Sequence, residues 1–325
     1  MNKLKIVEAL NQALDQNMEQ NDKIILLGED IGYLGGVFRV TKDLIQKYGN
    51  QRVFETPLTE QGIIGTALGL SVNGFKPVCE IQFDGFIWTG FDHIINNVSR
   101  LRTRSRGRFT CPMVIRVPFG GGIHALEHHS ESMESVFAHI PGVRVVIPST
   151  PKDAKGLLTA AIKSDDPVIF LEPKRIYRAI KEDVPEDLYE IPLDKAKILR
   201  EGKDLTIISY GAMMLETKKA LKEFVSERAI DFELIDLISL SPIDYETIID
   251  SAKKTGRVVI INEENPFCGL AAEMAARITE DCFMELQTPV VRVTGFDTII
   301  PLLKTEYNYL PSIKKIKEGF KKALN

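Results

Sequence analysis

The chain has 325 residues, 44% of them hydrophobic, and a formal net charge of −4. That length provides for about two domains of ~100–200 residues, with a core that needs no disulfide or metal staple. The charge balance excludes a general nucleic-acid binder, which carries a clear basic excess, and the four cysteines (Cys79, Cys111, Cys268, Cys282) lack the CxxC spacing of a zinc site or disulfide framework.

The N-terminus opens on an amphipathic helix pattern, not on a basic-then-apolar leader, and no apolar run approaches the ~20 residues that cross a bilayer. The expectation is a cytoplasmic chain with no membrane or nucleic-acid partner. Strands are expected at Lys23–Gly28, Arg52–Glu55, Val78–Ile81, Met113–Val117, Val143–Ile147 and Val168–Leu171. Helices are expected between them, at Thr41–Tyr48, Gln61–Val72, Ile87–Arg104, Ser132–His139 and Ala154–Ile162. The basic run Arg100, Arg102, Arg104, Arg106 and Arg108 reads as a solvated helix end or an ion-paired interface. Glu172–Asp204, charged and proline-bearing, reads as a linker too polar for core. Beyond it, strands at Leu205–Ser209, Phe232–Leu237, Val258–Asn262 and Val290–Val293 alternate with helices at Leu215–Phe224, Tyr245–Ala252 and Ala271–Thr279. Continuously apolar strands separated by helices indicate an α/β fold of parallel sheets with helices on both faces. The domains are placed at residues 1–190, linker included, and 191–325.

Two segments carry chemistry. In Glu55-Thr-Pro-Leu-Thr-Glu-Gln-Gly62, Pro57 stops a strand, Thr59 can cap a helix and Glu60 enters its first turn. Glu60 is either a favourable acid at a helix N-terminus or a carboxylate held where ligands of open α/β sheets collect. The small residues that follow, Gly62, Gly65, Ala67 and Gly69, would let another backbone or subunit approach. In Phe119-Gly-Gly-Gly-Ile-His-Ala-Leu-Glu-His-His-Ser130, a glycine triplet permits a loop shaped around a ligand. Its histidines, His124, His128 and His129, suit a metal site, a phosphate loop or acid/base catalysis, and the last is favoured. The spacing is poor for metal, and the GxxxxGK[ST] pattern is missing. The adjacent acids of the strand-end pairs Glu29–Asp30 and Glu263–Glu264 point to opposite sides, a poor arrangement for a paired acid/base site, and Asp30 and Glu264 read as loop or interface residues.

Taken in order, GED, GGVFRVT, RVFETPLTEQGIIGTALGLSVNGFKPVCEIQF, PFGGGIHALEHHSES, HIPGVRVVIPSTPKDAKGLL, DDPVIFLEPKRIYR and EGKDLTIISYG resemble the beta subunits of 2-oxoacid dehydrogenases over essentially the whole chain. The resemblance implies a transketolase-like pyrimidine-binding domain followed by a transketolase C-terminal-type domain, and thiamine diphosphate as cofactor. By that resemblance Glu60 hydrogen-bonds the aminopyrimidine and favours the tautomer that takes the thiazolium proton. Leu58 and Phe86 pack on the same ring, and His129 assists at the substrate carboxylate and in passing the acyl group to lipoamide. The family's GDG-to-asparagine motif for diphosphate and magnesium has no match, Asn96–Asn97 lacking a GDG upstream. The implied enzyme is therefore an alpha2-beta2 heterotetramer, magnesium held by the alpha subunit, bound to a lipoyl-bearing dihydrolipoamide acyltransferase core. A potassium ion is also implied, at Met113, Ala161, Ile162, Ser164 and Asp166.

Within the family the sequence is most similar to bacterial pyruvate dehydrogenases, so the expected activity is that of an acetyl-transferring oxidoreductase. The branched-chain (2-oxoisovalerate) and acetoin enzymes are the alternatives. A self-sufficient thiamine enzyme would need about one further domain, and a pure scaffold would not need Glu60 and His129. Docking of the acyltransferase is expected on the second domain, through Asp236, Glu263 and Glu264.

Overall fold

Successive side chains of a strand face opposite sides of its sheet, so a strand apolar at every position demands cover on both. The computed structural model, which describes residues 2–325, supplies that cover. A ribbon pairs β1 (Asn2–Lys5) antiparallel with β8 (Lys181–Val184). The first sheet contains β2 (Ile24–Gly28), β3 (Val53–Glu55), β4 (Lys76–Glu80), β5 (Val114–Phe119), β6 (Arg144–Val146), β7 (Val168–Pro173) and β12 (Ser239–Ser241). Its order is β12-β6-β7-β5-β4-β2-β3, parallel except for β12 at one edge. The second contains β9 (Lys197–Arg200), β10 (Leu205–Ser209), β11 (Phe232–Asp236), β13 (Val258–Ile261) and β14 (Val291–Val293). It runs β14-β13-β10-β11-β9, parallel except for β9.

The alternation sorts the core. Leu26, Val78, Val114 and Val168 pack under the helices Ile6–Gln20 and Pro151–Lys163 on the outer face of the first sheet. Their neighbours Leu27, Cys79, Ile115 and Ile169 face the other way, in one buried cluster with Ile208, Ile235 and Ile260 of the second sheet. The outer face of the second sheet, with Ile207, Leu234 and Val259, is closed by Phe224 and Phe320 from the helices Ala212–Glu227 and Ile313–Leu324. A one-residue slip would exchange these faces, and each displaced Leu, Ile or Val would forfeit about 1.5–3 kcal/mol of burial.

Four features depart from the sequence expectation. Ile87–Arg104 is not one helix: a 3₁₀ segment at Asp84–Gly90 leads through Phe91–His93 and a π-turn at Ile94–Val98 to Leu101–Arg104. A side chain at Gly90 would strike Ile64 and the Glu60 carbonyl, so the segment lies pressed onto the neighbouring helix. Glu172–Asp204 is not merely a polar linker, because Glu172, Lys174, Ile176 and Tyr177 are buried. Arg116 there donates to Glu172 at 2.7 and 2.9 Å and to Glu80 at 2.6 Å. Paired in this way, the charges are tolerated inside, whereas removing one partner would cost about 3–5 kcal/mol. β12 crosses back to the first sheet from beyond residue 191. Finally, Ile313–Leu324 is a helix capped by Ser312 Oγ that buries Ile316, Phe320 and Ala323. Among the described residues no helix is long and apolar enough to cross a membrane.

Candidate functional site

The loops after the carboxyl ends of β2, β3, β4 and β5 lie where parallel sheets gather ligands. After β3, Pro57 cannot continue a ladder, and Thr59 Oγ1 accepts the Gly62 N–H at 3.3 Å to start the helix Glu60–Val72. Glu60 is buried, unlike a simple surface cap. The Thr89 hydroxyl lies 2.9 Å from Glu60 Oε2 and 3.0 Å from the Phe86 carbonyl. A hydroxyl both donates and accepts. With Glu60 ionised, Thr89 donates to it; with Glu60 protonated, the acid donates to Thr89 and the threonine hydrogen turns to Phe86. Thr89 can therefore serve the carboxyl in either state.

Glu29 joins this carboxyl. It is buried, and burial first, then the charges of Glu60 and Asp30, push its pKa up against an opposing hydrogen bond from the Thr59 amide. Among the described residues its Oε1 finds no hydrogen-bond partner. Asp30 turns outward to Gln82, 2.8 Å away. The sequence left Asp30 as a loop or interface residue; the alternation it noted was correct, but it could not show that Glu29 is buried within reach of the Glu60 charge. Thr89 had no sequence signal at all.

His129 completes the group. Its ring lies 4.1 Å from that of Phe83 and 5.0 Å from that of Phe86. Nδ1 sits 2.7 Å from the Glu127 carbonyl, which can only accept, so Nδ1 carries the hydrogen and Nε2 of the neutral ring keeps its lone pair. His128 is exposed, 3.4 Å from Glu131, and His124 turns away to the Leu303 carbonyl at 2.8 Å. The Asp84–Gly90 segment thus brings Glu60, Phe86 and His129 together. Leu58 lies two residues before Glu60 in the chain but is 80% exposed, open to a further surface.

The glycine triplet lies against protein groups from both halves of the chain. Side chains at Gly120 (φ +80°), Gly121 and Gly122 (φ +98°) would meet Glu263, Ile300 with Glu306, and Arg175 respectively. The glycines admit protein groups to the loop, two carboxylates of the second half among them. Asp236, Glu263 and Glu264 are likewise not the exposed docking carboxylates expected of them. All three are buried and turned toward the first half: Asp236 to Ser149 at 2.8 Å, Glu263 to Arg175 at 3.5 Å, and Glu264 to the Ser135 amide at 3.1 Å.

The expected cation ligands gather around the C-terminal end of Pro151–Lys163, where helix carbonyls run out of intrahelical partners. The Ser164 hydroxyl bonds the Asp166 carbonyl at 2.9 Å, Ala161 O accepts from Ser164 N at 3.2 Å, and Met113 O accepts from Val168 N at 3.0 Å. The Lys76 ammonium lies 3.2 Å from both Ile162 O and Lys163 O. Of the expected ligands, the Ile162 carbonyl thus already accepts from a side-chain ammonium.

Comparison with known proteins agrees with this architecture. Residues 2–180 match the transketolase pyrimidine binding domain, and residues 194–316 the transketolase C-terminal domain. The chain is 51% identical over 313 residues to the pyruvate dehydrogenase E1 component subunit beta of Acholeplasma laidlawii, covering 96% of this chain and 95% of that one. It is 48% identical over 323 residues to the mitochondrial 2-oxoisovalerate dehydrogenase subunit beta of Dictyostelium discoideum, covering 99% and 87%. A solved split-gene transketolase, an inactive beta4 tetramer, shares the fold with a TM-score of 0.80 at 24% identity, covering 99% of each chain.

Proposed function

Because the chain belongs to the family of beta subunits of thiamine diphosphate-dependent 2-oxoacid dehydrogenases, we propose that it forms, with an alpha subunit, the active site of a pyruvate dehydrogenase-type component. The observation that carries this reading is the buried Glu60 carboxyl, held by Thr89 beside Phe86 and His129 at the strand ends. These residues fit the pyrimidine half of the cofactor: a buried acid that can hold or release a proton, an aromatic face, and the open Leu58. When bound, thiamine diphosphate supplies the electron sink for decarboxylation. Glu60 holds a proton at the pyrimidine ring nitrogen, Thr89 keeps its carboxyl aimed in either protonation state, and Phe86 and Leu58 exclude water from the ring. His129, its Nε2 lone pair left free by the Nδ1 bond to the Glu127 carbonyl, serves the substrate carboxylate and then the sulfur of the lipoyl group.

The alpha subunit holds the diphosphate and magnesium, for which this chain has no motif, and an alpha2-beta2 assembly docks on a lipoyl-bearing acyltransferase core. Residues 191–325 carry that docking surface. The carboxylates suited to it are the exposed Glu280, Asp281 and Glu285, which flank Phe283 and Met284, 72% and 86% exposed. Potassium binds at Met113, Ala161, Ile162, Ser164 and Asp166.

Pyruvate is the proposed substrate, and the Dictyostelium relative favours 2-oxoisovalerate as the second reading. The test is turnover of the chain purified with the alpha subunit from the same source. A kcat/KM for pyruvate at least ~10-fold above that for 2-oxoisovalerate supports the first reading, the reverse order supports the second, and decarboxylation of neither rejects both.

A further inference from the structure

The loop that carries His129 is closed at its base, where Gly120 N donates to the Glu131 carbonyl at 3.1 Å. On the side facing the cofactor loops, Gly85 N holds the His128 carbonyl at 3.0 Å. The opposite side is held from the far end of the chain. Glu306 is 1% exposed, and its two carboxylate oxygens accept the Gly122 amide at 2.7 Å and the His124 amide at 2.8 Å. Each oxygen thus takes one charge-assisted bond, short and directional, from a backbone group about 180 residues earlier. Nearby, the Leu303 carbonyl takes His124 Nδ1 and Tyr307 packs against that ring at 4.8 Å. The sequence supplies the room, since any side chain at Gly121 would lie 3.1 Å from Glu306 Oε1 and 2.9 Å from Ile300 Cδ1.

We infer that Glu306 is a positioning residue: a carboxylate of the second half of the chain that holds the His129 loop in its working shape. Two backbone N–H groups inside a protein must be satisfied, and a carboxylate is the side chain that accepts from both without presenting a hydrogen of its own. A glutamine would accept one and set an N–H against the other. The second half of the chain, by this arrangement, contributes to the site by shaping it and touches no reacting atom. The kinetic part of the inference rests on the role proposed for His129; the hold on the loop does not.

The experiment uses the assembled alpha–beta enzyme with Glu306→Gln, nearly isosteric so that folding survives, and Gly121→Ala as an independent intrusion at the same seat. Hydrogen exchange of peptides covering residues 119–130, read by mass spectrometry, reports the hold directly. Both variants should accelerate it by ~10-fold or more, the size expected for losing a charge-assisted bond, with exchange of the sheets unchanged. Lipoamide-coupled turnover should fall by ~10- to 100-fold, the scale of a catalytic group displaced by about 1 Å. On a His129→Ala background, Glu306→Gln should cost nothing further, since it acts through that side chain. Unchanged exchange in Glu306→Gln overturns the inference, and so does faster exchange with losses that multiply independently on the two backgrounds. If His129→Ala alone turns over normally, the proposed role of His129 fails, while the exchange measurement still decides whether Glu306 holds the loop.

Discussion

Asp236 offers a quantitative test of the seam between the two halves. It ends β11 fully buried, accepting one hydrogen bond from Ser149, and among the described residues its second oxygen has no hydrogen-bond partner. Burial first, and then the charge of Asp153, push its carboxyl from 3.8 up to about 7. The folded chain therefore holds this proton more tightly than the unfolded one. Its contribution to stability is complete below the unfolded value, falls as pH rises from 3.8 to about 7, and is flat above. Between pH 5 and pH 8 the loss is about 2–3 kcal/mol, at roughly 1.4 kcal/mol per pH unit over the part of the window that this interval spans. Asp236→Asn keeps the shape and the Ser149 bond but cannot ionise. Urea unfolding of wild type and variant at pH 5 to 8 should show the variant's relative stability rising by that amount. A gap that stays constant across the range would mean that Asp236 titrates like an exposed carboxyl and that the seam is wetter than described. The same substitution should leave acyltransferase docking unchanged, since a buried side chain cannot meet a partner.

His129→Ala should depress lipoamide-coupled turnover more than decarboxylation measured with an artificial electron acceptor, with His128→Ala milder in both; equal losses in the two assays would place His129 in substrate binding instead. Thr89→Val should lower kcat of the assembled enzyme by ~10-fold while thiamine diphosphate affinity changes little, because only the partner of the Glu60 carboxyl is lost; an unchanged kcat would make Thr89 a local cap. Exchanging potassium for choline at constant ionic strength should lower the melting temperature by a few degrees if a cation occupies the oxygens around Ile162 and Ser164. An identical melting temperature in the two salts would leave the Lys76 ammonium as their sole cation.

The strands were legible because both of their faces are buried, which writes an apolar residue at nearly every position from Ile24 to Leu27 and from Val258 to Ile261. A helix start was legible at the Thr59 cap, whereas Thr150 caps Pro151–Lys163 three residues ahead of the expected start at Ala154. The break at Asp84–Gly90 was not, because it depends on Ile64 and the Glu60 carbonyl lying opposite Gly90, a contact between elements. The acids at the ends of β2, β11 and β13 could be located but not aimed: sequence gives alternation, while the partner across the gap decides whether an acid faces solvent or the interior. The glycine triplet was visible, but a bare backbone signals close approach without saying of what. Glu60 and His129 stood out through family resemblance; Thr89 and Glu306 emerged only from their distances, and the setting of Glu29 only from its burial.

The central claim is that Glu60 is the proton-carrying group of an active site shared with an alpha subunit, and Glu60→Gln in the assembled enzyme tests it most directly. Glutamine fills the same space and can still bond Thr89, so assembly and cofactor content should match wild type. Decarboxylation of the 2-oxoacid should then fall by at least ~100-fold, the usual size of losing a placed acid/base group. Turnover at the wild-type rate with thiamine diphosphate bound would contradict the account and return Glu60 to the N-terminal turn of a helix.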